Sequence, residues 1–173
     1  MLIYYFSGEV YVFNQLNKFT TVITFLIITF SSQSFAQKAP GFTLDGDSGK
    51  VALSDHKNKV VYVDFWASWC KPCRKSFTFM NDMQDRYGKK GFKIIAINLD
   101  SERSAAKSFL KKNPAKFTIA YDSKGKTPEL YKLKVMPTSY LIDRRGNLVN
   151  VHKGFKNQQT AKLEKLIVQT LNK

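Results

Sequence analysis

The sequence predicts a mixed α/β domain, one partly parallel sheet with helices packed on both faces. Three observations predict it. Residues 60–67 (VVYVDFWA) and 92–99 (FKIIAINL) are near-continuous apolar runs of strand length, as expected of strands buried on both faces. Between them, residues 70–87 place Phe77, Met80, Met83 and Tyr87 at steps of three and four, the spacing of a helix with one buried side. A strand, a helix and a second strand in this order form a right-handed crossover that leaves the strands parallel.

The remaining elements follow in chain order. Residues 42–44 and 51–53 flank a turn rich in Gly and Asp and read as a small hairpin. Gly88 is placed to stop the helix that begins at Cys70. Residues 104–112 read as a short helix closed by Asn113-Pro114, and 117–121 as a short strand. Residues 138–143 and 148–151 flank Arg144-Arg145-Gly146-Asn147 and read as a closing hairpin. Asn157 is the expected cap of a last helix that gathers Leu163, Leu166, Ile167 and Leu171 on one face. No internal repeat or long linker divides the chain.

Length and composition bound the function. A chain of 173 residues has no room for two ordinary domains. With 43% apolar and 14% aromatic residues it builds a core, which excludes wholesale disorder. Lys and Arg number 28 against 13 acids, a net charge of +15. The lysines are scattered as singles and pairs, which fits a basic, soluble surface with a loose attraction to anionic membrane surfaces or acidic partners. No nucleic-acid-binding motif accompanies the charge.

Residues 1–36 differ from the rest. A 12-residue apolar run at 19–30 follows Lys18, and Ser34-Phe35-Ala36 places small residues at the positions that precede a cleavage point. This is the pattern of a secretory signal peptide removed after Ala36, leaving one domain at 37–173 outside the cytoplasm, in a periplasm or its equivalent. The run falls short of the roughly 20 residues of a membrane-spanning helix, with an uncleaved anchor as the alternative. Residues 1–16 are aromatic-rich, contain Glu9 and do not fit a charged leader start, whereas Leu16-Asn17-Lys18-Phe19 does; translation is therefore expected to begin near Leu16.

The chain has two cysteines, and they stand together as Cys70-Lys71-Pro72-Cys73 between a buried strand and a helix start. Residues three apart in a first helical turn are close enough to form a disulfide. The free N–H groups and positive dipole end of the helix stabilise a thiolate, and Lys71, Arg74 and Lys75 add positive charge. Pro72 fits the first turn, where a missing N–H costs nothing. A zinc site would need two more ligands, and the only histidines, His56 and His152, are isolated and lie far apart in sequence, so no metal is expected. A purely structural bridge across so short a loop would constrain little of the unfolded chain. A redox-active pair is the stronger reading. Asp64 is a lone carboxylate inside an apolar strand, where desolvation raises its pKa toward that of a useful general base.

These residues carry a resemblance. Segment 63–73 (VDFWASWCKPC) resembles the active-site segment of thioredoxins, and 135–143 (VMPTSYLID) resembles their cis-proline segment. Ala39-Pro40-Gly41-Phe42-Thr43-Leu44, with the exported leader, is similar to the extracytoplasmic TlpA/ResA-like branch. The resemblance spans about residues 39–173 and implies a thioredoxin-like fold with an N-terminal β-hairpin extension. It implies that Cys70 is the exposed nucleophile, Cys73 the buried resolving thiol, Asp64 the base that helps deprotonate it, and Pro137 a cis proline facing the disulfide. Trp66 and Trp69 would flank the site; Trp69, Lys71, Pro72 and Met136 would contact substrate. The implied partners are protein disulfides and a membrane thiol-reducing electron donor, with no cofactor besides the dithiol. Two positions depart from the pattern: Ala96 replaces a lysine of thioredoxin beside the buried aspartate, and Ser76 replaces a glutamate of many TlpA/ResA-like reductases.

The expected function is reduction of protein disulfides outside the cytoplasm. An oxidase or isomerase would use the same residues. A thiol peroxidase would need Thr or Ser where Ala67 stands, a copper-delivery module a wider Cys spacing and a His, and a basic surface-binding module no dithiol chemistry at all.

Overall fold

The computed structural model describes residues 3–6, 9–12 and 37–173, which fall into two units, Met1–Phe35 and Ala36–Lys173. In the first, β1 (Ile3–Phe6) and β2 (Glu9–Val12) pair antiparallel, with Ile3 opposite Val12, a hairpin the sequence reading did not anticipate. The apolar run at 19–30 and the cleavage point expected after Ala36 lie outside the described residues.

The second unit begins with β3 (Thr43–Gly46) and β4 (Lys50–Ala52), followed by β5 (Val60–Trp66), α1 (Lys71–Tyr87) and β6 (Phe92–Asn98). Next come α2 (Arg103–Lys112), β7 (Thr118–Tyr121), α3 (Lys126–Leu130), β8 (Thr138–Ile142), β9 (Leu148–Lys153) and α4 (Thr160–Leu171). The seven strands form one mixed sheet in the order β4-β3-β7-β6-β5-β8-β9. β5, β6 and β7 are parallel, while β8 runs antiparallel to β5 and β9 to β8.

All seven residues of β5 are buried, because each face of the sheet carries its own core. Tyr62 and Trp66 face one side with Ile94 and Leu141; Val61, Val63 and Phe65 face the other with Ile95, Ile97 and Tyr140. Helices flank the sheet as expected, but unevenly: α3 leads into Tyr131 on the Val61–Phe65 side, and the three longer helices share the other. Buried residues of α1, α2 and α4 all join the Tyr62–Trp66 side, around Phe77, Met80, Phe109 and Ile167. The chain passes from β5 to β6 to β7 in one direction across the sheet, so two right-handed crossovers must lie on the same face. The opposite face is closed by Phe42, Tyr131 and Tyr140, with partly buried Leu44 and Leu133 against them.

Two local readings differ from the structure, while Gly88 does end the helix as expected. α3 was not expected; its five residues contain Pro128 and are too few for a helical period to show. Asn157 does not cap α4 but opens a 3-10 turn, Asn157–Gln159, ahead of it. Gly88 ends α1 in right-handed conformation, and the chain instead reverses at Gly91, whose φ is 90°. A Cβ at Gly91 would also meet a guanidinium nitrogen of Arg144 at 2.9 Å. Arg144 donates to the carbonyls of Asn58, at 2.8 Å, and Leu171, at 3.1 Å, tying the end of the sheet remote from the cysteines to the C-terminal helix.

Candidate active site

β5 ends at Trp66, and the turn 67–70 delivers the chain into α1. Cys70 is the residue that caps the helix, and Pro72 lies in its first turn. The N–H of Cys70 donates to the carbonyl of Ala67 and that of Cys73 to the carbonyl of Cys70, both at 3.1 Å. The two sulfurs are bonded, with Cα atoms 5.4 Å apart. No acid occupies the first turn of α1, so the dipole end is left to the sulfurs.

The sulfurs are unequal, though less so than expected. Cys73 has no exposed surface, but Cys70 keeps only 5%, so it is a recessed residue and not an exposed one. Both belong to the core cluster formed with Trp66 and Phe77, and Met136 packs against that cluster. Lys71 and Pro72 are exposed, and Trp69 stands 68% exposed beside them. Trp66, in contrast, is wholly buried, its ring 4.9 Å from that of Phe77 and 5.1 Å from that of Phe109. Of the two tryptophans, only Trp69 offers a surface.

The Met136–Pro137 bond is cis. The buried Pro137 accepts a hydrogen bond from the N–H of Gly154 at 2.7 Å, which fastens its loop to the end of β9.

Asp64 lies in β5 between Tyr62 and Trp66, on the face that α1 covers. It has no exposed surface. Its Oδ1 accepts a hydrogen bond from Ser139 Oγ at 2.7 Å, and its Oδ2 has no partner among the described residues. Burial disfavours the charged form and pushes the carboxyl up to about 7, against the opposing pull of the Ser139 hydroxyl. The strand register sets Asp64 opposite Ala96 on β6 and Ser139 on β8. The place where thioredoxin has lysine is therefore a methyl group next to the carboxylate. Ser76 is also buried and donates to the carbonyl of Cys73 at 2.8 Å.

Two contributors escaped the sequence reading. Ser139 lies within the segment likened to the cis-proline loop, but nothing in that segment tells which residue faces Asp64. Removing its hydroxyl takes away the one hydrogen bond that stabilises the charged carboxylate. Ser139→Ala should raise the Asp64 titration midpoint by about one unit, as followed by carboxyl-carbon NMR. A midpoint unchanged or lowered would count against that pairing. The second is Asp100, just beyond β6. Its carboxylate accepts from the Ser68 N–H at 3.0 Å, from Ser68 Oγ at 3.0 Å and from Asn98 Nδ2 at 2.8 Å. It thereby clamps the turn that leads into Cys70. The only sequence signal was an acid at the carboxyl end of a buried parallel strand, where sites of α/β sheets gather.

Comparison with known proteins agrees with this geometry. The Redoxin family model matches residues 35–167. The thiol-disulfide oxidoreductase ResA of Bacillus thuringiensis subsp. konkukian (strain 97-27) is 39% identical over 119 residues, covering 68% of this chain and 69% of that protein. ResA of Bacillus subtilis (strain 168) is 33% identical over 124 residues, covering 71% and 69%. Among solved structures, a provisionally assigned thiol:disulfide interchange protein DsbE from Chlorobium tepidum is 51% identical, covers 79% of this chain and 96% of its own, and superposes with a TM-score of 0.78. With a bonded Cys-Lys-Pro-Cys pair at the start of a helix and a buried aspartate beneath that helix, the chain belongs to the Redoxin family, as a thiol-disulfide oxidoreductase of the TlpA/ResA-like thioredoxin type.

Proposed function

We propose that this oxidoreductase works as a reductase of protein disulfides outside the cytoplasm, after removal of residues 1–36. The observation that carries this reading is Asp64, a carboxyl buried beneath the helix of Cys73 and pushed up to about 7, where it is able to take a proton near neutral pH.

In the reduced protein, the Cys70 thiolate attacks one sulfur of the partner's disulfide. The partner's S–S bond breaks, its other sulfur leaves as a thiolate, and a mixed disulfide joins Cys70 to the partner. Cys73 then gives up its proton, with Asp64 as the acceptor, and its thiolate attacks Cys70 Sγ. The partner's second sulfur leaves with the electron pair of the mixed disulfide. Two electrons have passed to the partner, whose two thiolates take their protons from solvent; Asp64 returns the Cys73 proton to solvent, and Cys70–Cys73 is the oxidised product. Trp69, Lys71 and Pro72, exposed next to the cysteines in sequence, and Met136, packed on the cluster that includes them, are the residues a partner would contact. Regeneration requires two electrons from a thiol donor; for an exported protein, a membrane protein that relays them fits that need.

Insulin reduction with a measured redox potential tests this reading. The expected potential lies somewhat above the about −270 mV of thioredoxin and well short of the about −120 mV of strong oxidants. A value near the latter would make the protein an oxidase. Lys71→Glu should destabilise the Cys70 thiolate, raise its pKa and move the potential more negative by on the order of 10 mV.

A further inference from the structure

Three segments at the end of the sheet that carries the cysteine turn are rich in cations and contain no acid. Besides Lys71 between the sulfurs, residues 70–75 bring Arg74 and Lys75, residues 132–137 bring Lys132 and Lys134, and residues 153–156 bring Lys153 and Lys156. All are exposed. The segments meet at one end of the sheet. Met136 packs on the cluster that holds both sulfurs, Gly154 donates to Pro137, and Lys153 pairs across the sheet with Thr138.

None of these cations has an ion-pair partner among the described residues. Elsewhere on the surface Lys50, Arg103, Lys116 and Arg145 each have one, and Arg86 has two. The Asp100 carboxylate, which clamps the turn leading into Cys70, is taken up by Ser68 and Asn98. Unpaired charges of one sign gathered on adjoining segments repel one another and focus a positive potential on the space between them.

We propose that this cationic collar selects its partners, favouring protein disulfides flanked by acidic residues. The inference rests on the disulfide-exchange function and names the class of partner. Two observations favour a protein segment over an anionic lipid surface. Cys70 is recessed, at 5% exposure, so a partner must project a segment to reach it. The exposed large apolar residues within or next to these segments are Trp69, Leu130, Val135 and Val151, enough to grip a peptide but too few to enter a bilayer.

The test uses the reduced protein and three synthetic disulfide peptides that differ only in flanking residues, glutamate, glutamine or lysine, with exchange rates followed over roughly 20–500 mM salt. At low salt the glutamate peptide should react at least about tenfold faster than the lysine peptide, and the ratio should shrink toward one at high salt. Lys134→Glu/Lys156→Glu should collapse the ratio, whereas Lys111→Glu/Lys112→Glu, with the same change of net charge on α2, should preserve it. Equal rates for all three peptides would overturn the proposal while leaving the oxidoreductase reading intact. If, in addition, Lys134→Glu/Lys156→Glu alone abolished sedimentation with phosphatidylglycerol vesicles, the collar would be a lipid-facing surface instead. No exchange with any peptide would overturn the disulfide-reductase reading and this inference with it.

Discussion

Cys70→Ser is expected to abolish reduction of protein disulfides, with a loss of at least about a thousandfold, because no second sulfur has access to a partner. Cys73 has no exposed surface, so it can attack only a sulfur already delivered to it by Cys70. Cys73→Ser should therefore start the reaction and fail to finish it, and covalent complexes with partners should accumulate on non-reducing gels. The same asymmetry predicts that alkylating agents modify Cys70 first in the reduced protein. Trapping by Cys70→Ser alone would reverse the two roles.

The second large effect is expected at Asp64. Asp64→Asn keeps the shape and the hydrogen bond from Ser139 but removes the proton acceptor. Near pH 7 the mixed disulfide should resolve about a hundredfold more slowly. The gap should close as pH rises and the Cys73 thiol ionises unaided. Equal resolution rates for both proteins across about pH 6–9 would assign the step to water or another group.

The same substitution should also change stability, and here the sign is informative. The folded-state carboxyl titrates near 7 and the unfolded one near 3.8. At pH below both values the group is neutral in each state and costs nothing. Between them the unfolded chain releases its proton while the folded chain holds it, so stability falls as pH rises. Above about 7 the buried charge exerts its full cost, with a ceiling of roughly 4 kcal/mol. Asp64→Asn is spared that loss. In denaturant melts it should match the parent protein near pH 4 and exceed it by roughly 2–4 kcal/mol near pH 8. A variant less stable than the parent at pH 8 would contradict a destabilised carboxylate.

What the sequence by itself determined is what local spacing encodes. The apolar runs at 60–67 and 92–99 became β5 and β6, and the steps from Phe77 to Tyr87 became the buried side of α1. The cysteines were legible for the same reason: a pair three apart at the start of a helix carries its geometry with it. Asp64 stood out because a carboxylate within a buried strand conflicts with its surroundings, and such conflicts mark sites. The tertiary structure alone decided which groups these residues meet. Ser139 reaches Asp64 across 75 residues and Asp100 reaches Ser68 across 32, and both contacts depend on strand register and order. An alternating pattern specifies which face a side chain takes, but not which strand lies beside it or which residue stands opposite. The gathering of α1 and α2 on one face followed from the direction in which the chain crosses the sheet, a property of the whole topology. The recession of Cys70 is likewise tertiary, since the core cluster it belongs to gathers residues from Val60 to Ile167.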